Sequence, residues 1–116
     1  MKIYHIKNNY MYNRNDRNGT HRYAVFKDRT SGETRVVQLT HLYEIPYNKL
    51  RQIQNGYLKK YKLSCYSLPS GVETGYKTKD INGNPISLNN LNSTQSYNLS
   101  KKDSKRIKSI AKRRIN

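Results

Sequence analysis

The chain has no tryptophan, one phenylalanine, one cysteine and only seven carboxylates in 116 residues. A lone Cys65 excludes an intrachain disulfide framework and fits a reducing compartment. It falls in a strand-like run, where it reads as a small buried hydrophobe rather than a nucleophile. With no Trp and one Phe, the aromatic part of a core must come from the 11 tyrosines. Each can bury a ring while its hydroxyl stays at the surface or finds a partner. No stretch approaches the roughly 18 apolar residues a spanning helix needs, and the N-terminus carries no apolar signal-type segment. A cytoplasmic protein with no membrane role is therefore expected. There is no cysteine pair and no His-x-x-x-His, and the acids are scattered, so no metal site is expected. Walker-type and dinucleotide-binding glycine motifs are missing, and so is any cofactor they would hold. No RNP-type, KH-type or zinc-finger spacing occurs, so no sequence-reading module is recognised.

What is present is positive charge. Against the seven acids stand 23 Lys and Arg, a net +16, with 34% hydrophobic residues and a mean hydropathy of -1.06. Such an imbalance opposes compaction and calls for a polyanion. Nucleic acid is the first expectation, RNA ahead of DNA, because counterion release rewards phosphate contacts directly. An acidic partner, an antitoxin-like protein or RNA, is the second. The abundance of Lys, Asn, Ile and Tyr suits an AT-rich genome, and a bacterium, plasmid or phage is the expected source.

Patterning points to an α+β protein: a small, bent antiparallel sheet or SH3-like barrel, a short helix over 46–55 and a basic C-terminal helix over 100–115. The two best β runs are Arg22–Phe26 and Thr34–Thr40, separated by Asp28–Glu33 with Gly32 free for a positive φ. They read as a hairpin whose second strand delivers Thr40, His41 and Tyr43. Lys2–Lys7 reads as a further strand and 8–18 as a polar loop. Pro46 suits a first helical position, Tyr47, Leu50 and Ile53 recur at helical spacing, and Gly56 suits the position after the helix. A long alternating strand is expected over Tyr57–Leu68, a turn at Pro69-Ser70-Gly71, a strand over Val72–Lys79 and a type I′ turn at Asn82-Gly83. An α+β domain would then fill 1–86. Residues 87–99, rich in Asn, Ser and Thr, read as a polar linker before a basic helix at 100–116. There Ser100 and Asp103 resemble a capping box, and Ile107, Ile110, Ala111 and Ile115 form a narrow apolar stripe.

Candidate phosphate contacts follow. The tail holds Lys101, Lys102, Lys105, Arg106, Lys108, Lys112, Arg113 and Arg114 against one acid, a net +7. Lys59, Lys60 and Lys62 alternate with tyrosines on the strand, and Arg22 adjoins Tyr23. The catalytic candidates are His21, Arg22, Thr40 and His41. A hairpin register joining the start of one strand to the end of the next would bring His21 near His41. One imidazole as base, one as acid and Arg22 on the developing charge suffice to cleave RNA without metal, the 2′-OH being the nucleophile. His5 reads as a structural histidine.

Gly19-Thr20-His21-Arg22, Ala24-Val25-Phe26 and Val36-Val37-Gln38-Leu39-Thr40-His41 resemble the hairpin of the MazF/PemK-type toxins, SH3-like barrels that cut RNA. Met1–Ile6 with Tyr10 is similar to the start of their ToxN/AbiQ branch. The resemblance covers residues 1–41. It implies that Arg22 takes the place of the family's catalytic Arg and Thr40 that of the Thr that positions the scissile phosphate. Tyr23 and Gln38 stand where members have Pro, and His41 where they have Ser.

Overall fold

The computed structural model describes residues 1–11, 19–42, 47–91 and 96–116. The protein is α+β, built on one bent antiparallel sheet of six strands. In chain order these are β1 (Lys2–Lys7), β2 (Thr20–Lys27), β3 (Thr34–His41), β4 (Leu58–Tyr61), β5 (Ser70–Glu73) and, after a two-residue strand β6 (Gly75–Tyr76), β7 (Ser96–Asn98). Their spatial order is β4-β5-β3-β2-β1-β7. β4 and β7 form the two edges and do not pair with each other, so the sheet is open. Among the described residues three α-helices accompany it, α1 (Asn8–Met11), α2 (Tyr47–Gln54) and α3 (Lys101–Ile110), with a 3-10 turn at Leu88–Asn90.

The hairpin forms as its residues dictate. β2 and β3 pair from Arg22↔Leu39 to Lys27↔Thr34. Gly32 takes φ 74° in the turn. Asp28 Oδ2 accepts from both the amide and the hydroxyl of Ser31 at 2.9 Å. β2 is central and buried on both sides, so alternation splits its residues between two cores. Ile3, Ala24, Val37, Leu39 and Val72 face Leu63, Leu99, Ile107, Ile110 and Ala111. On the other face Ile6, Tyr23, Val25 and Val36 pack with Met11, Ile86 and Leu91. Tyr23, fully buried, fills the volume that the scarce Phe and absent Trp leave open.

α3 covers the first face. Ser100 caps it, its hydroxyl accepting from the Asp103 amide at 3.1 Å. Ile107 is 0% exposed, and burying one such side chain stabilises by about 1.5–3 kcal/mol.

Several expectations change. The helix ends at Ile110, not 115: Ala111 leaves helical geometry, and Arg113–Arg114 form a short strand, β8, parallel to β6. Ile115, four residues after Ala111, continues the helical stripe in sequence. Its side chain instead sits over Gly75, where an added Cβ would lie 2.3 Å from Ile115 Cγ2. The strand expected over Tyr57–Leu68 stops at Tyr61, because Asp103 bonds Tyr61 and Ser64 and turns the chain there. Cys65 is consequently exposed. Ser70 and Gly71 belong to β5 instead of a turn; Leu58 leans over Gly71, its Cδ1 3.1 Å from where a Cβ would stand. At Asn82-Gly83 only Gly83 takes positive φ, so the turn is not type I′, which needs it at both positions. Within the polar 87–99 segment, Leu91 and Leu99 are buried and β7 extends the sheet beside β1. α2 ends at Gln54 and Gly56 follows it with φ 79°, as expected of the residue after the helix, but Leu50 on its apolar side remains 41% exposed. The expected loop over 8–18 begins as a helix, α1, and its remaining residues 12–18, with Tyr43 and Pro46, lie outside the described residues.

Candidate nucleic-acid interface and cleft

β2 and β3 part company at one end. Their ladder closes at Arg22↔Leu39. Beyond it β2 stays with β1, through Ile6↔His21 and Lys7↔Thr20, while β3 stays with β5, through Thr40↔Gly71 and His41↔Ser70. The split opens a cleft of about 390 Å³ lined by His5, Thr20, His21, Arg22, Leu39, Thr40 and His41. All four residues singled out from sequence for catalysis thus line one cleft. His5, opposite Arg22 in the β1–β2 register, joins them.

Paired residues of an antiparallel sheet share a face, and neighbours along a strand alternate. The register therefore places His5, Arg22 and His41 on the α3 side of the sheet and His21 and Thr40 on the other. His21 and His41 share the cleft from opposite faces. His21 Nδ1 bonds Asn8 Oδ1 at 2.5 Å, which holds the ring. Asn8 is itself buried in α1.

On the α3 side the Arg22 guanidinium lies 4.7 Å from the ring centre of Tyr66. The same ring meets His41 edge-on at 5.1 Å and Tyr97 at 6.0 Å, with the Tyr66 and Tyr97 hydroxyls 3.0 Å apart. Burial, then the Tyr97 hydrogen bond, pushes the Tyr66 phenol well above its usual pKa, so it stays neutral. Burial and the neighbouring Arg22 charge pull His5 below its ordinary 6.5. His5 Nε2 is buried with no hydrogen-bond partner among the described residues. A neutral imidazole beside a fixed guanidinium can accept a proton while the guanidinium holds an anion. Cys65 is surface-exposed, yet local desolvation first of all raises its thiol pKa. It is protonated at neutral pH, against a nucleophilic role.

From sequence His5 reads as structural, Tyr66 as one of the strand tyrosines able to stack a base and Tyr97 as a packing residue; none is expected beside Arg22. His5 becomes a neighbour of Arg22 only through the β1–β2 register. Alternation over Tyr61–Tyr66 reads as continuous strand and carries no sign of the turn that swings Tyr66 onto Arg22.

The other candidate cations lie outside the cleft lining, some near it and some at the far end of the sheet. Lys59, Lys60 and Lys62 are exposed, and Lys62 Nζ donates to the Tyr66 carbonyl at 2.8 Å. Lys60, Gly71 and Thr40 stand in one row across β4, β5 and β3. Lys101, Lys102, Lys105, Arg106, Lys108, Lys112, Arg113 and Arg114 are all exposed. The ion pairs among the described residues join Arg35 to Asp28 and Glu33, and none involves the tail. Among the described residues no cluster of His, Cys, Asp and Glu suits a metal, and no helix is long and apolar enough to cross a membrane.

Comparison with protein-family models, curated proteins and solved structures finds no match for this chain.

Proposed function

We propose that the protein binds RNA through its phosphates, in the cytoplasm of a bacterium or of the host of a mobile element. One observation carries this reading. The tail is docked by its apolar stripe, Ile107, Ile110 and Ala111, so its eight cations project outward, and none pairs with a described acid. Charge held apart in this way raises the cost of folding unless a polyanion meets it. With Arg22, Lys59, Lys60 and Lys62 these cations form the contact surface. The test is binding of labelled single-stranded RNA to the intact chain. Submicromolar affinity at low salt that falls steeply as salt rises supports the reading. Copurification with an acidic protein, and no RNA affinity, would replace it with the acidic-partner alternative.

A second reading is favoured by the cleft. Arg22, Thr40 and three histidines line one solvent-open space, which suits a metal-independent endoribonuclease of the MazF/PemK/ToxN type. In that reading the bent sheet is an SH3-like barrel left unclosed. Arg22 holds the non-bridging oxygens of the scissile phosphate, and Thr40 positions it. An imidazole takes the proton of the 2′-OH as that oxygen attacks phosphorus. A second imidazole protonates the departing 5′ oxygen, leaving a 2′,3′-cyclic phosphate. Incubation with RNA and EDTA decides it: discrete cleavage lost in Arg22→Ala and Thr40→Ala proteins supports the enzyme, and intact RNA rejects it.

A further inference from the structure

At the far end of β2 from the cleft, the β2–β3 turn and the end of α3 enclose a second hollow of about 360 Å³. Phe26, the only phenylalanine of the chain, forms part of its wall, and Lys27, Arg29, Lys108 and Lys112 supply four cations. Arg35 and Asp28 also line it but are engaged. Arg35 pairs with Glu33 at 2.7 Å and Asp28 at 3.4 Å, and Asp28 accepts from Ser31. None of the four remaining cations pairs with a described acid. Lys108 Nζ stands over the Phe26 ring, 5.3 Å from its centre, so a stacking base takes that face and moves the ammonium to its phosphate.

We propose that this hollow is a nucleotide subsite for single-stranded RNA, with a base against Phe26 and adjoining phosphates on Lys27, Arg29, Lys108 and Lys112. The proposal rests on the RNA-binding reading above. Bases stack on aromatic rings whatever their identity, and cations beside the ring fix the backbone. A duplex keeps its bases paired and leaves the ring without a partner. The C-terminal end of the α3 dipole opposes an anion here, so recognition falls to the four side chains.

The hollow also gives α3 a direction. Arg106 lies 5.9 Å from the Tyr61 ring, toward the cleft end, and Lys108 and Lys112 reach the hollow. The helix spans about 15 Å, close to the roughly 13 Å from Arg22 to Phe26 along β2. One strand of RNA held at both ends would follow the exposed face of α3.

The test is an NMR titration of the isotope-labelled full chain with an oligouridylate of roughly 12 nucleotides, within a usual single-strand footprint. Amide shifts at Phe26–Arg29 and Lys108–Lys112 are expected. Lys108→Glu/Lys112→Glu should weaken binding roughly tenfold or more, against about threefold or less for the same charge change at Lys2→Glu/Lys79→Glu. Phe26→Leu should weaken it several-fold. Because Phe26 is half-buried, the wild-type shifts stand as the independent measurement if that variant is unstable. Binding without shifts in these segments, or equal losses in both charge-reversed pairs, overturns the subsite and leaves RNA binding intact. Tighter binding of duplex than of single strand overturns the stacking role. No binding by the wild type at low salt removes both the subsite and the reading beneath it.

Discussion

Tyr61 donates a hydrogen bond to Asp103 Oδ1 at 2.6 Å, tying the last residue of β4 to the first turn of α3. The other carboxylate oxygen accepts from the amide and hydroxyl of Ser64 at 2.9 and 2.8 Å. The one acid of a strongly basic segment is thus turned inward, 2% exposed, and the cations around it are left to the surface. Burial pushes the Asp103 carboxyl up, but the bonds from Tyr61, Ser64 and Ser100 outweigh it and hold the pKa below the ordinary 3.8. The same contact raises the Tyr61 phenol.

Asp103→Ala is expected to destabilise the fold by roughly 1–3 kcal/mol, since it removes the charged acceptor of three hydrogen bonds from Tyr61 and Ser64. Urea unfolding measures it. A depressed carboxyl pKa contributes stability that is present above the unfolded value, near 3.8, and lost as pH falls through the lower folded value. Acid unfolding of the wild type should therefore be steeper below pH 3.8 than that of Asp103→Asn.

α3 packs into the core and, in the proposed function, presents phosphate contacts; substitution separates the two. Ile107→Ala should cost about 2–5 kcal/mol by creating a cavity under the helix, read as a fall in thermal midpoint. Lys101→Glu and Lys105→Glu, both exposed, should leave that midpoint within a few degrees and weaken RNA binding. Deleting residues 100–116 mixes the effects, because it removes Ile107, Ile110 and Ala111 from the core.

Tyr66 positions Arg22. Tyr66→Phe keeps the ring under the guanidinium and loses the hydroxyl's bonds to Tyr97 and Arg22, about 1 kcal/mol of stability, with RNA affinity between wild type and Tyr66→Ala. Tyr66→Ala releases Arg22 and should lower affinity roughly threefold to tenfold, the worth of a partly buried cation–π contact. Equal affinities in the two variants would separate Tyr66 from the site.

His5 gives the cleft a pH signature. Its folded pKa lies below 6.5, so the unfolded chain protonates first on acidification. The His5 contribution to stability is full above about pH 6.5 and declines as pH falls below it. A phosphate bound beside Arg22 should reverse the shift. The His5 imidazole NMR signals are expected to titrate below 6.5 in the free protein and higher with RNA bound.

Local patterns read well where residue type settles the backbone. The β1 span, the β2–β3 hairpin, the positive φ at Gly32 and Gly56 and the start of α3 all follow from alternation, glycine and capping. Elements decided by distant contacts did not. β4 stops at Tyr61 because of a carboxylate 42 residues away. Ile115 fits a helical stripe but lies against Gly75, which carries no side chain to exclude it. The cleft was legible as a set of residues, since Arg22, Thr40, His21 and His41 flank one hairpin. Its shape was not, because the split depends on β1 and β5 drawing β2 and β3 apart.

The most direct test of phosphate binding by the tail is the slope of log affinity against log salt, measured for single-stranded RNA with the wild type and with Lys101→Glu/Lys102→Glu/Lys105→Glu. Each lost phosphate contact should reduce the slope by about 0.7, so the triple variant should be shallower by roughly 2. Identical slopes, or an affinity in the wild type that salt leaves unchanged, would contradict the account.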